Sequence, residues 1–425
     1  MKRKPYPAYK PSGVEWLGEL PSHWEVKRLK RICNFAYGDS LSSEDREDGD
    51  FYVYGSNGVV GTHKNANTRE PVIIVGRKGS YGKINFSRTS VFAIDTTYFI
   101  DDSHTKENLY WLSYMLRCLD LDIGSKDSAV PGLAREDAYK NCIPLPPLPE
   151  QQAIADFLDR ETGKIDTLIN KNQGLIELLK EKRMALISRA VTKGLDPTVK
   201  MKPSGVEWLD DMPRHWEVKK LKFLLLPDGY KAGPFGSSLI TSELMNSGTI
   251  KVLSPEHIAD DSFSIEYDLY LPEERELEMK QFFVKEHDVV FPIVGTLGRA
   301  KVITREVGKS IINQRLARVR VNKTKILPEY LCLLMSKVYF YQQLDQIESK
   351  GSILDHITKE KILNRIIFLP SVKEQEKILQ YLDKEMGKID ALIAKVEKAI
   401  EKLKEYRTAL ISAAVTGKID VREVA

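Results

Sequence analysis

Residues 76–83 read GRKGSYGK, three cations and a hydroxyl set among glycines, which are residue types able to cradle phosphate. Their spacing excludes a nucleotide loop. Five residues separate Gly76 from Gly82 where four are needed, and Ile84 stands where Ser or Thr must reach magnesium. Gly308-Lys309-Ser310 lacks the upstream glycine of such a loop. The stretch IPLPPLPEQ (143–151) has a double proline, but not the polar residue before it or the aromatic after it that would hold a flipped base for amino-methylation. It reads as a stiff connector into a helix starting near Glu150. Asp228, in PDGYK, lacks the acid and lysine at strand spacing that would complete a nuclease metal site, and reads as a turn. Cys33, Cys118, Cys142 and Cys332 lie far apart with no CxxC spacing, so no zinc site is indicated and the thiols read as reduced and partly buried. His23 and His215 recur in register beside Trp24 and Trp216, a duplication that points to packing rather than to acid–base work.

What remains is basic sequence carrying small polar residues. Residues 62–90 hold Lys64, Arg69, Arg77, Lys78, Lys83 and Arg88 against one acid, Glu70, and residues 292–323 hold eight bases against Glu306. Phosphates attract such patches, while Arg, Lys, Ser and Gln on loops read base edges. The candidate DNA-binding residues are Lys64, Arg77, Lys78, Ser80, Tyr81 and Lys83 around the first glycine-bounded turn. Around the second they are Thr296, Arg299, Lys301 and Arg315.

These patches sit inside a duplicated plan. KPSGVEWLGELPSHWEVKRLK (10–30) returns as KPSGVEWLDDMPRHWEVKKLK (202–222) with 16 of 21 positions unchanged. The stretch 150–196 returns as 374–420 with 27 of 47 positions matching, at an offset of 224 rather than 192. The enclosed bodies, 31–149 and 223–373, therefore differ by 32 residues and share little sequence except near their ends. The plan is a fixed collar, a variable body and a fixed helix, written twice, with boundaries at 1–149, 150–197, 198–373 and 374–425.

Each fixed helix has apolar residues at three- and four-residue steps: Ile154, Leu158, Ile165, Leu168, Ile169 and Ile176 in the first, Ile378, Leu382, Ile389, Leu392, Ile393 and Ile400 in the second. About forty residues at 1.5 Å each give a rod of roughly 60 Å, too long for one small domain to cover, so the two helices are expected to cover each other. Gly163 and Gly387 sit at equivalent points in both, marking either a close approach of backbones or a local break. The bodies read as mixed α/β: PVIIVGRKGSYGKINF (71–86) and DVVFPIVGTLGRAKVI (288–303) each give strand, turn and strand, and helices follow near 108–119 and 329–344.

The net charge of +4 is too small to demand a polyanion, but all of the excess lies outside the two fixed helices. No window of eighteen consecutive apolar residues occurs, and MKRKPYPAYK leads into polar sequence rather than an apolar signal core, so a cytoplasmic protein without membrane contact is expected.

The HWEVKRLK collars, the turns GSYG and GTLG after buried strands, IPLPPLPEQ, and the helix ends LISRAVTKG and LISAAVTGK together resemble the specificity subunit of type I restriction-modification systems, over nearly the whole chain. The second exit, IFLPSVKEQ (367–375), departs from the pattern in having lost the double proline. The resemblance implies two α/β target recognition domains joined by two long antiparallel coiled-coil helices in a pseudo-two-fold repeat. It implies a non-catalytic subunit that binds double-stranded DNA, each body reading one half of a split site while the helices act as a ruler for the unread gap. Two methylating subunits would bring S-adenosylmethionine and, optionally, two restriction subunits would use ATP and magnesium, so no cofactor is expected on this chain. Base-contacting residues differ between members of such a family, so none is carried over. Two other classes compete: a self-contained DNA enzyme, which would turn over alone, and a coiled-coil adaptor, which would not bind DNA selectively.

Overall fold

The apolar run at 71–76 becomes the strand Val72–Gly76, buried at all five positions, and Ile84–Ser87 returns antiparallel beside it across the glycine-bounded turn. Such a run, without alternation, marks a strand covered on both faces. In this computed structural model the described residues are 4–122, 132–206, 209–235, 238–259, 263, 268–294, 298–335 and 357–422.

Contacts group the chain into two units, 1–174 with 396–425, and 175–395. They cut across the order of the repeats, because each unit contains one collar, one body, the start of one long helix and the end of the other. The first body is a four-stranded antiparallel sheet in the order Ala36–Tyr37, Thr97–Ile100, Val72–Gly76, Ile84–Ser87. Beside it lies a three-stranded sheet of Gly58–His63, Phe51–Gly55 and Phe92–Ala93, the last pair parallel. The second body repeats this order with Leu225–Ala232, Leu316–Val321, Val289–Pro292 and Lys301–Val302, and its three-stranded sheet pairs Ile250–Leu253 in parallel with Ser310–Ile312. Here Val289 and Phe291 pack into one apolar cluster and Val290 into another, which explains the uninterrupted VVF. Helices form at Leu109–Leu116, capped by the Asn108 side chain accepting from the Trp111 N–H, and at Pro328–Leu334. The rest of the second expected helix, 336–344, lies outside the described residues.

Each body is closed by a two-stranded clasp joining the collar to the exit: Glu25–Arg28 with Cys142–Leu145, and Glu217–Lys220 with Ile366–Leu369. The long helices follow at once, Leu148–Lys193 (46 residues) and Val372–Val415 (44 residues). The second exit follows the same strand-to-helix path without its double proline. In the first unit Glu150 lies 3.6 Å from Arg422 and Asp166 lies 2.9 Å from Arg407, and in the second Glu374 lies beside Gly194 and Asp390 lies 3.1 Å from Arg183, so within each unit the two helices run antiparallel.

Two expectations about the helices need correction. Leu168 and Leu392 are 49% and 47% exposed, off the buried stripe of Ile154, Leu158, Ile165, Ile169 and Ile176 and its counterpart Ile378, Leu382, Ile389 and Ile400. Gly163 and Gly387 mark neither a break nor a close approach: both are inside continuous helix, and a Cβ at either would meet nothing within 4 Å. Among the described residues no helix is long and apolar enough to cross a membrane.

Candidate nucleic-acid interface

The recurrent His-Trp of the collars is structural. Trp24, fully buried, donates its indole N–H to Glu150 at 2.9 Å, and His23 Nε2 lies 2.6 Å from the same carboxylate. Trp216 and His215 hold Glu374 in the same way, at 3.0 and 2.9 Å. Each collar therefore grips an acid in the first turn of a long helix, where the helix dipole also favours negative charge. The other long helix of the unit ends on the same tryptophan. Gly417 (φ 71°) lies against Pro21 and Trp24, and Gly194 (φ 72°) against Pro213 and Trp216, both in a left-handed backbone that a side chain would strain, and at Gly417 a Cβ would also collide with the Pro21 ring.

At one end of each four-stranded sheet three connections converge. In the first unit Gly38 ends its strand so close to Ala93 and Ile94 that a Cβ would collide with their backbone, which places it on the 94–96 turn. The peptide N–H groups of Arg77 and Lys78 donate to Thr96 O, and Ser56 Oγ donates to the same carbonyl at 2.6 Å. In the second unit Gly233 sits equally close to Asn313, Gly233 N–H donates to Leu316 O, and Ile293 N–H donates to Arg315 O. The two sheet ends are thus built alike and furnished differently.

In the first, Tyr37 is 48% exposed and has two guanidinium groups close to its ring: Arg77 at 4.8 Å and Arg135 at 5.2 Å from the ring centre. Arg77 also donates to Asp95 O at 3.1 Å. Burial, with Tyr37 close by, raises the Tyr98 hydroxyl above its ordinary range, so this neighbouring ring stays neutral. Lys78 and Ser80 are exposed on the turn and Tyr81 is half-buried. Lys83 Nζ donates to Asn57 O and Oδ1 at 2.9 and 2.8 Å, drawing the 55–58 hairpin turn to the cluster. Lys64 is not part of it: it follows the far end of Gly58–His63 and pairs with Glu47 at 2.8 Å.

In the second, Arg299 and Arg315 are exposed on the converging connections, Arg315 paired with Glu256 at 3.3 Å. The Lys301 ammonium lies 4.4 Å over the ring of Phe263. Thr296 lies outside the described residues. Tyr37, Arg135, Asn57, Asn313 and Gln314 were missed by the charge windows, since four are uncharged and Arg135 is 58 positions from Arg77. The one signal for Asn313 and Gln314 was their run into Arg315.

Two other groups have structural explanations. Ser254, His257 and Asp268 are strung together at 2.9 Å each, but His257 Nδ1 also accepts the Ser254 peptide N–H, which makes the string a helix-start latch. Burial pushes the thiols of Cys33 and Cys332 up to about 12, so both are inert at neutral pH. Among the described residues no group of His, Cys, Asp and Glu is placed to hold a metal ion.

Duplicated collars, paired long helices and two differently furnished sheet ends define a class of DNA-specificity proteins, and the comparisons agree. The chain belongs to the family described as type I restriction modification DNA specificity domain, which matches residues 21–178 and 213–402. It is 26% identical to the type I restriction enzyme MjaVIII specificity subunit of Methanocaldococcus jannaschii, over 95% of both chains. It is 21% identical to the EcoBI specificity subunit of Escherichia coli, over 70% of this chain and 63% of that one. Among solved structures, a chain from work on complex assembly and conformational transition of the type I R-M system shares the fold at TM-score 0.69, with 16% identity, covering 93% of this chain and 98% of that one. The HsdS subunit from Thermoanaerobacter tengcongensis does so at 0.53, with 17% identity, over 94% and 98%.

Proposed function

We propose that this chain is the sequence-reading subunit of a type I restriction-modification complex, with the body at 31–149 reading one half of a split duplex site and the body at 223–373 the other. The observation that carries this is the pair of sheet ends, alike in backbone and different in side chains: Tyr37, Arg77, Lys78 and Arg135 in one, Arg299, Asn313, Gln314 and Arg315 in the other. Arg and Lys there would meet guanine or phosphate, and Asn and Gln adenine. The long helices would set the unread gap and dock two methylating subunits, where S-adenosylmethionine acts; restriction subunits, where present, would use ATP and magnesium. The chain itself would do no chemistry and would work in the cytoplasm.

The test exchanges residues 31–149 for the corresponding body of another member and maps methylated bases in cells expressing the hybrid with its methylating subunits. One half-site changes and the other is kept. A change in both halves, or in neither, refutes the modular reading.

A further inference from the structure

Phe235 is 87% exposed, more than any other large apolar side chain in the described residues. The next, Leu277 at 83%, lies between Glu276 and Glu278, a setting that repels a polyanion. Phe235 has the opposite setting. It follows Gly233 and the buried Pro234 at the convergent sheet end, where Gly233 abuts Asn313 and the 313–315 turn continues into Arg315. Gly233, two positions before it, donates its N–H to Leu316 O at 2.9 Å, and Phe235 O accepts from Ser238 N–H at 2.8 Å. An aromatic ring exposed to water at this sheet end, with Asn313 and Arg315 on the adjoining turn, offers a face on which a nucleic-acid base can stack.

Resting on the DNA-reading function above, we propose that Phe235 is a wedge that enters the duplex and stacks on a base at a partly unstacked step within the half-site read by the second body. Wedges of this kind favour pyrimidine–purine steps, which open most easily, so Phe235 would set sequence preference without a hydrogen bond to any base. The first body has no counterpart on its loop. There Ser40 stands two positions after Gly38, as Phe235 does after Gly233, and the aromatic is Tyr37, with two guanidinium groups 4.8 and 5.2 Å from its ring centre.

The experiment uses the full chain assembled with its methylating subunits and a library of random-sequence duplexes. The selected duplex is then labelled with 2-aminopurine at each purine of the second half-site in turn. Wild type is expected to raise the fluorescence at one step. Phe235→Ala should abolish that rise and weaken binding by about fivefold or more, the size of one lost stacked base, while Phe235→Trp keeps both. If Phe235→Ala binds within about twofold of wild type and gives the same fluorescence, the wedge is refuted and the DNA-reading function stands. If wild type selects no sequence, the DNA-reading function falls and the wedge with it.

Discussion

Glu150 and Glu374 do the same work in the two units but with unequal support, and the inequality can be measured. Glu150 accepts from the buried Trp24 indole and from the Tyr6 hydroxyl (3.2 Å), and it lies beside His23 and, at 3.6 Å, Arg422. Among the described residues the Glu374 carboxylate has only Trp216 and His215 as hydrogen-bond partners. Truncating Glu150 to Ala strands two donors, Trp24 and Tyr6, that are 0% and 3% exposed. A buried donor left unpaired costs about 1–3 kcal/mol, and the partly exposed His23 and Arg422 add little, so Glu150→Ala should cost roughly 3–5 kcal/mol. Glu374→Ala strands one buried donor and should cost roughly 1.5–3 kcal/mol.

Urea denaturation followed by tryptophan emission on the full chain gives both values. Adding Trp24→Phe to Glu150→Ala removes one stranded donor, so the double variant should be less destabilised than the sum of the singles. Equal costs at Glu150 and Glu374, or a cost below about 1 kcal/mol at Glu150, would refute the view that the collar holds the helix through a buried carboxylate.

Three further outcomes are expected. Gly163→Ala and Gly387→Ala, at exposed helical positions with open space, should each stabilise the chain by about 1 kcal/mol in thermal denaturation, and destabilisation would mean that the space is occupied. Burial alone would raise the Asp101 carboxyl, but hydrogen bonds from Ser103, the Arg69 N–H and His104 outweigh it and hold the group below its usual range. Its contribution is therefore complete above the unfolded value near 3.9 and is lost as pH falls through the lower folded value; melting temperatures of wild type and Asp101→Asn should converge below about pH 4, and a gap that widens on acidification contradicts the sign. Lys78→Ala should weaken DNA binding evenly across sequences and reduce the salt slope by about 0.9, the loss of one phosphate contact, whereas Tyr37→Ala should alter the sequence selected.

The repeats made the frame legible before any coordinates, because two copies of one phrase reveal what both bodies need. The strands at 72–76 and 289–292 were legible for a different reason: a strand covered on both faces leaves a continuous apolar run. The charge patches were only half legible, since a window along the chain counts local charge and cannot see a partner from elsewhere. Lys64 is answered by Glu47 and Arg315 by Glu256, 17 and 59 positions away. Leu168 and Leu392 were assigned to the stripe because three- and four-residue steps were followed without tracking the angle they accumulate. Glu150 was hidden, since an acid in a first helical turn is expected from the dipole alone and says nothing of a tryptophan 126 positions earlier.

The residue after each of these acids explains how such a frame can seat unlike bodies. Gln151, fully buried, accepts from the Asn108 N–H at 2.9 Å and donates to Pro146 O at 2.9 Å and to the Glu107 carboxylate at 2.6 Å. Gln375, equally buried, accepts from the Leu327 N–H at 2.8 Å and donates to Lys325 O and Pro370 O at 2.9 and 3.0 Å. The acid thus ties the helix to the collar, and the glutamine ties it to the body, in both units by accepting a main-chain N–H. Nearly every residue carries the same N–H, so this shared bond sets a demand on the path of the backbone and almost none on the side chains, whereas the Glu107 carboxylate is a contact particular to the first body. Any body that brings one peptide N–H to that place can make the shared bond, which leaves the far loops free to change what they read.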